Sequence, residues 1–165
     1  MTHPARVPVA DLLADCEIQR TRGSGPGGQH RNKVETAIVV EHQPTGLRGE
    51  ASERRSQEQN RQQAILRLRV KLALEVRSEP AAPPSALWQN RSAGGRLAVS
   101  VQHEDFPALL AEALDQMCAE EYSLATSARQ LGVSSSQLVK FLKLEPKALA
   151  HANRQRQLRG EAPLR

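Results

Sequence analysis

The chain has 165 residues, enough for one ordinary domain or two small ones joined by a linker. With 39% hydrophobic residues it can build a modest core, which excludes a wholly disordered protein, and no apolar run reaches the length that spans a bilayer. It carries 23 Lys+Arg against 18 Asp+Glu, a formal charge of +5 and a pI near 9.8, a balance that permits a polyanionic partner.

From the N-terminus, Met1 to Glu17 lacks a basic-then-apolar signal and carries Asp11, Asp15 and Glu17, which speaks against a transit peptide. A cytoplasmic protein without membrane attachment is expected. Cys16 and Cys118 stand alone and read as two reduced core thiols, and the five histidines are scattered, so neither a metal site nor a cofactor is expected.

Asp15 to Thr21 (DCEIQRT) can form a short strand. Arg22 to Lys33 (RGSGPGGQHRNK) cannot continue it, having four glycines, a proline and no apolar residue. Thr36 to His42 is β-branched and apolar and predicts a strand, Gln43-Pro44-Thr45-Gly46 a β-turn, and Leu47 to Ala51 the returning strand. Ser52 to Arg55 reads as a helix start, with Ser52 as N-cap, and Gln57 onward is rich in helix formers to about Leu72. Leu66, Leu68, Val70, Leu72, Leu74 and Val76 alternate with mostly polar residues, a strand-like period that competes with the helix and leaves the last few residues open to an extended form.

Residues 78–95, with Pro80, Pro83, Pro84, Gly94 and Gly95, read as linker. Beyond them, Arg96 to Val101 alternates as a strand would. Pro107 sits at the first turn of a helix whose apolar stripe is Leu109, Leu110, Ala113, Leu114, Met117 and Cys118. A helix from about Leu124 to Leu131, a break at Gly132, a Ser134-capped helix to about Leu142 and a last helix from Pro146 to about Arg159 complete the chain. Leu124 to Phe141 fits a helix-turn-helix pattern, with Leu131, Val133, Leu138 and Phe141 facing a core and Ser134 to Gln137 opening the second helix. A helical bundle with no nucleic-acid role fits the same pattern equally well.

Charge is unevenly spread. Arg54 to Lys71 holds six basic residues against Glu58 alone, Arg20 to Lys33 holds four and no acid, and the segment from Lys140 is basic again. Glu104 to Glu121 holds six acids and no base, and is expected to face away from a nucleic-acid surface made by the rest.

The loop Gly25 to Gln29 has a bland reading as a flexible turn. Its setting is less ordinary, because basic residues flank it and its tip offers only small residues and one amide. Gly27 and Gly28 lack Cβ, so backbone can approach a substrate closely. The Gln29 backbone N–H can donate to an oxygen that gains charge, and its side-chain amide can help place a water. No catalytic triad, carboxylate pair or metal cluster accompanies the loop, so most reacting groups would come from a partner.

Residues 15 to about 75 resemble the catalytic (GGQ) domain of class I peptide chain release factors and related ribosome-rescue hydrolases. The string Arg22 to Val34 is similar to that family's signature nearly throughout, Pro44-Thr45-Gly46 falls where the family has its turn, and Glu53 to Asn60 resembles its helix-opening segment. The resemblance implies an α+β protein: a small release-factor-type domain (a short mixed sheet plus a long helix) over 1–77, the linker 78–95, and a helical, helix-turn-helix-like module over 96–165. It implies that Gly27, Gly28 and Gln29 enter the peptidyl transferase centre of the large ribosomal subunit, where water hydrolyses the peptidyl-tRNA ester.

Gln29 then becomes a candidate for N5-methylation by a glutamine methyltransferase. Arg20, Arg22, Arg31, Lys33, Arg54, Arg55 and Arg61 become candidates for rRNA phosphate contact, and Lys140, Lys143, Arg154 and Arg156 extend that surface into the second module. Arg31 departs from the family, which usually has a small or apolar residue there. Nothing resembles the domain that reads stop codons, and the length leaves no room for it, so codon-independent rescue by a monomer is expected. The alternative is a non-catalytic ribosome or RNA binder that keeps the fold.

Overall fold

The computed structural model describes residues 2–22 and 36–165. The chain divides into two compact units, one of Val7–Leu72 and one of Met1–Arg6 with Ala73–Arg165.

The Val7–Leu72 unit opens on a short helix, α1 (Val9–Ala14), followed by strands β1 (Cys16–Thr21), β2 (Ala37–His42) and β3 (Leu47–Ala51) and the long helix α2 (Gln57–Glu75). The sheet order is β1-β2-β3, and both pairs are antiparallel. The expected mixed sheet is therefore antiparallel among the described residues. Only residues 43–46 separate β2 from β3, far fewer than the dozen or more that the crossover of a parallel pair needs. The turn after β2 closes where Pro44-Thr45-Gly46 places it: Gly46 N–H donates to His42 O at 2.8 Å, with Gly46 at φ +70°.

Ile38 and Val40 on β2 and Gly49 and Ala51 on β3 are cross-strand partners on one buried face. They meet Ala64 and Leu68 of α2, which approaches closely because Gly49 has no side chain. The buried positions of α2 fall at Asn60, at Ala64 and Ile65, at Leu68 and Arg69, and at Leu72 and Ala73, steps of three and four that give one face of a helix. Leu66, Val70 and Leu74 are only half-buried, so the alternation in sequence does not describe the packing, and the helix runs on to Glu75. It also begins later than the Ser52 cap predicts. Ser52 N–H donates to the Glu53 carboxylate, and Asn60 holds both backbone groups of Arg54, so residues 52–56 cannot coil. Ser56 supplies the first-turn contact instead, its Oγ accepting from Gln59 N–H at 3.3 Å.

The second unit contains α3 (Ala86–Arg91), a 3-10 turn (Ala93–Gly95), α4 (Phe106–Ala119), α5 (Leu124–Gln130), α6 (Ser135–Leu142) and α7 (Pro146–Leu158). Residues 78–95, expected as linker, are part of it: Ser85 caps α3 and Trp88 has no exposed surface, packing edge-on against Phe141 with ring centroids 5.7 Å apart. No strand forms at Arg96–Val101.

α4 is buried on all sides from Phe106 to Met117, so the expected stripe is the visible part of a central helix. Its acids face inward. Glu112, 3% exposed, accepts from Ser85 N–H at 2.7 Å and Ser85 Oγ at 2.5 Å, and Asp115, 1% exposed, accepts from Ser78 N–H, Ser78 Oγ and Arg77 at 2.8–3.2 Å. The acidic run is therefore not an outward acidic face, because its two central members satisfy buried donors. Cys118, expected in the core, is exposed at the end of the helix, and Cys16 is half-buried.

Ala128, Leu131, Val133, Leu138 and Phe141 are buried, Gly132 turns at φ +67°, and Ser134 Oγ accepts from Gln137 N–H at 3.2 Å.

Burial lowers the pKa of His3, His42 and His151 below the ordinary 6.5. The unfolded chain then takes up protons that the folded one resists, so stability present above pH 6.5 is lost as pH falls through the folded values. A thermal melt at about pH 5.5 is expected to lie below one at about pH 7.5. Equal melting temperatures would show that these rings pay no such penalty.

Candidate functional site

The register pairs Thr21 with Ala37 as the last rung of the β1–β2 ladder. The chain therefore leaves the sheet after Thr21 and rejoins it at Ala37, at one end of two adjacent strands. Gly27, Gly28 and Gln29, with Arg31 and Lys33, lie outside the described residues, so what the structure supplies is the root of this loop.

The returning side of that root is buried at Thr36 and Ala37, and the Thr36 carbonyl accepts from Asn60 Nδ2 at 2.7 Å. Around it the sequence-predicted cations separate into groups. Arg20 and Arg22 are exposed on and just after β1, and Arg54 and Arg55 are exposed before α2. Cross-strand pairing with Ile38 turns Arg20 toward the helix side of the sheet. There Arg20 and Arg61, with Ile18, Ile38, Gln57 and Glu58, line a cavity of about 250 Å³. A second cavity of about 320 Å³ is lined by Thr21, Arg22, Ala37, Glu50, Glu53 and Arg67 among others.

Not every base in the Arg54–Lys71 run is available to a partner. Arg67 pairs with Glu53 and donates to Glu50 O at 2.7 Å, and Lys71 donates to Arg48 O at 2.6 Å. Burial alone would raise the Glu53 carboxyl. Hydrogen bonds from Arg67 and from the Ser52 and Glu53 backbone more than offset it and hold the group at about 2. Arg61 lies 4.0 Å from Glu58, a loose surface pair that leaves its guanidinium free to reorient.

In the second unit Lys140, Lys143 and Arg154 are exposed. Ser136, Lys140 and Lys143 follow one face of α6 at helical spacing, opposite buried Leu138, Phe141 and Leu142. Lys147 and Arg154 share a face of α7 two turns apart. Arg156 does not belong with them. It is 8% exposed, donating to Tyr122 O at 2.7 Å and Ala162 O at 2.8 Å, so its guanidinium is consumed inside the fold. Arg159 lies over the Tyr122 ring, 5.1 Å from its centroid.

Among the described residues there is no group of His, Cys, Asp and Glu that could hold a metal ion, and no helix long and apolar enough to cross a membrane. Sequence reasoning missed Asn60, which carries the buried hydrogen bonds of the loop root. Its signal was available only as one member of the helix-opening string.

Comparison with known proteins agrees with this arrangement. The chain is 38% identical over 104 residues to peptide chain release factor 1 of Verminephrobacter eiseniae, covering 63% of this chain and 29% of that protein. It is 37% identical over 94 residues to the same factor of Paracidovorax citrulli (57% and 26%) and 36% identical over 110 residues to that of Xylella fastidiosa (62% and 30%). The chain thus spans under a third of the length of these relatives. The model of the RF-1 domain matches residues 11–103, more than half of the chain, and the chain belongs to the RF-1 domain family.

Proposed function

We propose that this protein hydrolyses the ester of peptidyl-tRNA on the large ribosomal subunit, without a stop codon, using Gly27-Gly28-Gln29 at the tip of the loop 22–36. The observation that carries the reading is the Thr21–Ala37 rung, which sets both ends of that loop together at one end of the sheet, with Arg20, Arg22, Arg54, Arg55 and Arg61 on the surface of the same unit. Cations so placed can grip rRNA phosphates and position the tip, whose own chemistry needs little more than a backbone donor and an amide. Gln29 is also the residue that a glutamine methyltransferase would modify. Residues 1–77 are taken as the catalytic part, acting as a monomer in the cytoplasm.

Codon independence is the finer part of the reading. It is supported by residues 104–165, which lie outside the family match and fold as helices with Lys140, Lys143 and Arg154 on the surface. We assign these to RNA backbone contact. Replacing all three by alanine is expected to weaken rRNA binding and to lower the slope of log affinity against log salt by about 0.7–0.9 for each phosphate no longer neutralised. An unchanged slope would remove them from the interface.

Peptide release on three substrates tests the whole proposal: ribosomes stalled on truncated mRNA, ribosomes at a stop codon, and isolated large subunits carrying peptidyl-tRNA. Release on the first or third at a rate independent of a stop codon is expected. Release confined to stop-codon ribosomes would refute codon independence. Binding without release on any substrate would favour the non-catalytic binder.

A further inference from the structure

Asn60, on the first turn of α2, has no exposed surface, and its amide is engaged on three sides. Oδ1 accepts from the backbone N–H of Arg54 at 3.0 Å, while Nδ2 donates to Arg54 O at 2.9 Å and to Thr36 O at 2.7 Å. Thr36 closes the returning side of the loop 22–36, and Arg54 opens the exposed pair Arg54–Arg55. One side chain therefore ties together two segments that lie far apart in sequence. It also reaches the departing side of the loop indirectly, because Ala37, next to Thr36, is laddered to Thr21.

We propose that Asn60 is the positioning residue of the loop 22–36, fixing its root relative to the Arg54–Arg55 corner; for catalysis this rests on the release reading above. The chemistry singles out asparagine. The site needs one acceptor and two N–H donors in a plane about one carbon from the backbone. Aspartate has the acceptor but no donor, and its charge would face two carbonyl oxygens. Leucine has neither group, and glutamine reaches one methylene further in a space with no exposed surface. A tip that must meet an ester inside a partner's cavity depends on the angle at which its root leaves the domain, and small misplacement is costly.

The test compares the parent with Asn60→Asp in single-turnover peptide release on large subunits carrying peptidyl-tRNA, across a range of pH. The maximal rate is expected to fall about tenfold to a hundredfold near neutrality while half-saturating concentration moves by less than about threefold. The ratio of variant to parent should recover as pH falls, because a protonated carboxyl regains one donor; a role in bulk stability alone would not give this recovery in a protein shown by circular dichroism to stay folded throughout. Hydrogen exchange should rise together in segments 36–42 and 52–56 and nowhere in residues 100–165. Parental rates, or a loss that does not recover on acidification, overturn the proposal. If the parent itself releases nothing, the release reading fails. The anchoring claim then stands or falls on hydrogen exchange, an unchanged or uniform pattern defeating it. If Asn60→Asp does not fold, Asn60→Ser is read by the rate split and hydrogen exchange with the same expected and contrary results, since its short hydroxyl cannot reproduce the three bonds.

Discussion

Gly28→Ala and Gln29→Ala are each expected to abolish peptide release while leaving ribosome binding in place. A methyl at position 28 both narrows the backbone angles open to the tip and interposes a carbon where an ester must approach. Gln29→Ala removes the amide that would order the attacking water, and losing one such donor to developing charge typically costs about 10²–10³ in rate. Binding should survive, because the cations assigned to phosphate contact, Arg20, Arg22, Arg54, Arg55 and Arg61, are untouched by either change. Release at single turnover and sedimentation with ribosomes, measured on the same preparation, separate the two properties. Undiminished release by either variant, or release and binding that decline in step, would contradict the assigned role of the tip.

Gly49→Ala should be the most damaging small substitution in the sheet. A Cβ at that position would lie 2.5 Å from Leu68 N and 2.8 Å from Leu68 Cβ, and closer still to Ala64 O. Two of these atoms are helix backbone, which cannot swing aside as a flexible side chain would. α2 must lift from β3, opening space around Ile38, Val40 and Leu68. Overpacking usually costs about 1–3 kcal/mol, and a rigid backbone obstacle places this case at or above the top of that range. For a unit of this size the melting temperature should drop by about 10 °C or more. Gly46→Ala is the contrasting case, since a Cβ there meets nothing within 4 Å and suffers only from the positive φ. A Gly49→Ala protein that melts within about 2 °C of the parent would show that the helix does not pack as described.

Both predictions show where sequence was sufficient and where it was not. The β-branched run Ala37–His42 and the Pro-Thr-Gly turn located two strands to within a residue, because turn chemistry and strand propensity are local. The alternating leucines of α2 left only its last few residues in question, because hydrophobic period two says nothing of which leucines meet the sheet; the buried positions step by three and four, and the helix runs to Glu75. Trp88 was lost among prolines and glycines that read as linker, although a large aromatic in such a stretch often marks a packed one. Glu112 and Asp115 read as outward charge since their partners, Ser85 and Ser78, lie 27 and 37 residues away. The same limit applied to Arg156, where sequence displays a guanidinium and conceals the carbonyls that consume it. The Gly27-Gly28-Gln29 motif is visible in sequence and lies outside the described residues, whereas the amide that joins Thr36 to Arg54 became apparent only once Thr36, Arg54 and Asn60 were seen together.

The burial of Arg156 also affects its neighbour. Asn153 and Arg156 both reach the segment 161–164: Asn153 accepts from Leu164 N–H at 2.7 Å and donates to Leu164 O at 3.2 Å, and Arg156 bonds Ala162 O. The closing turns of α7, which in most helices fray, are clasped from outside. Arg154, lying between the two anchors and pointing to solvent, is thus carried on a stiff mount, and a ligand that meets it has less chain entropy to quench than at a loose tail bearing the same charge.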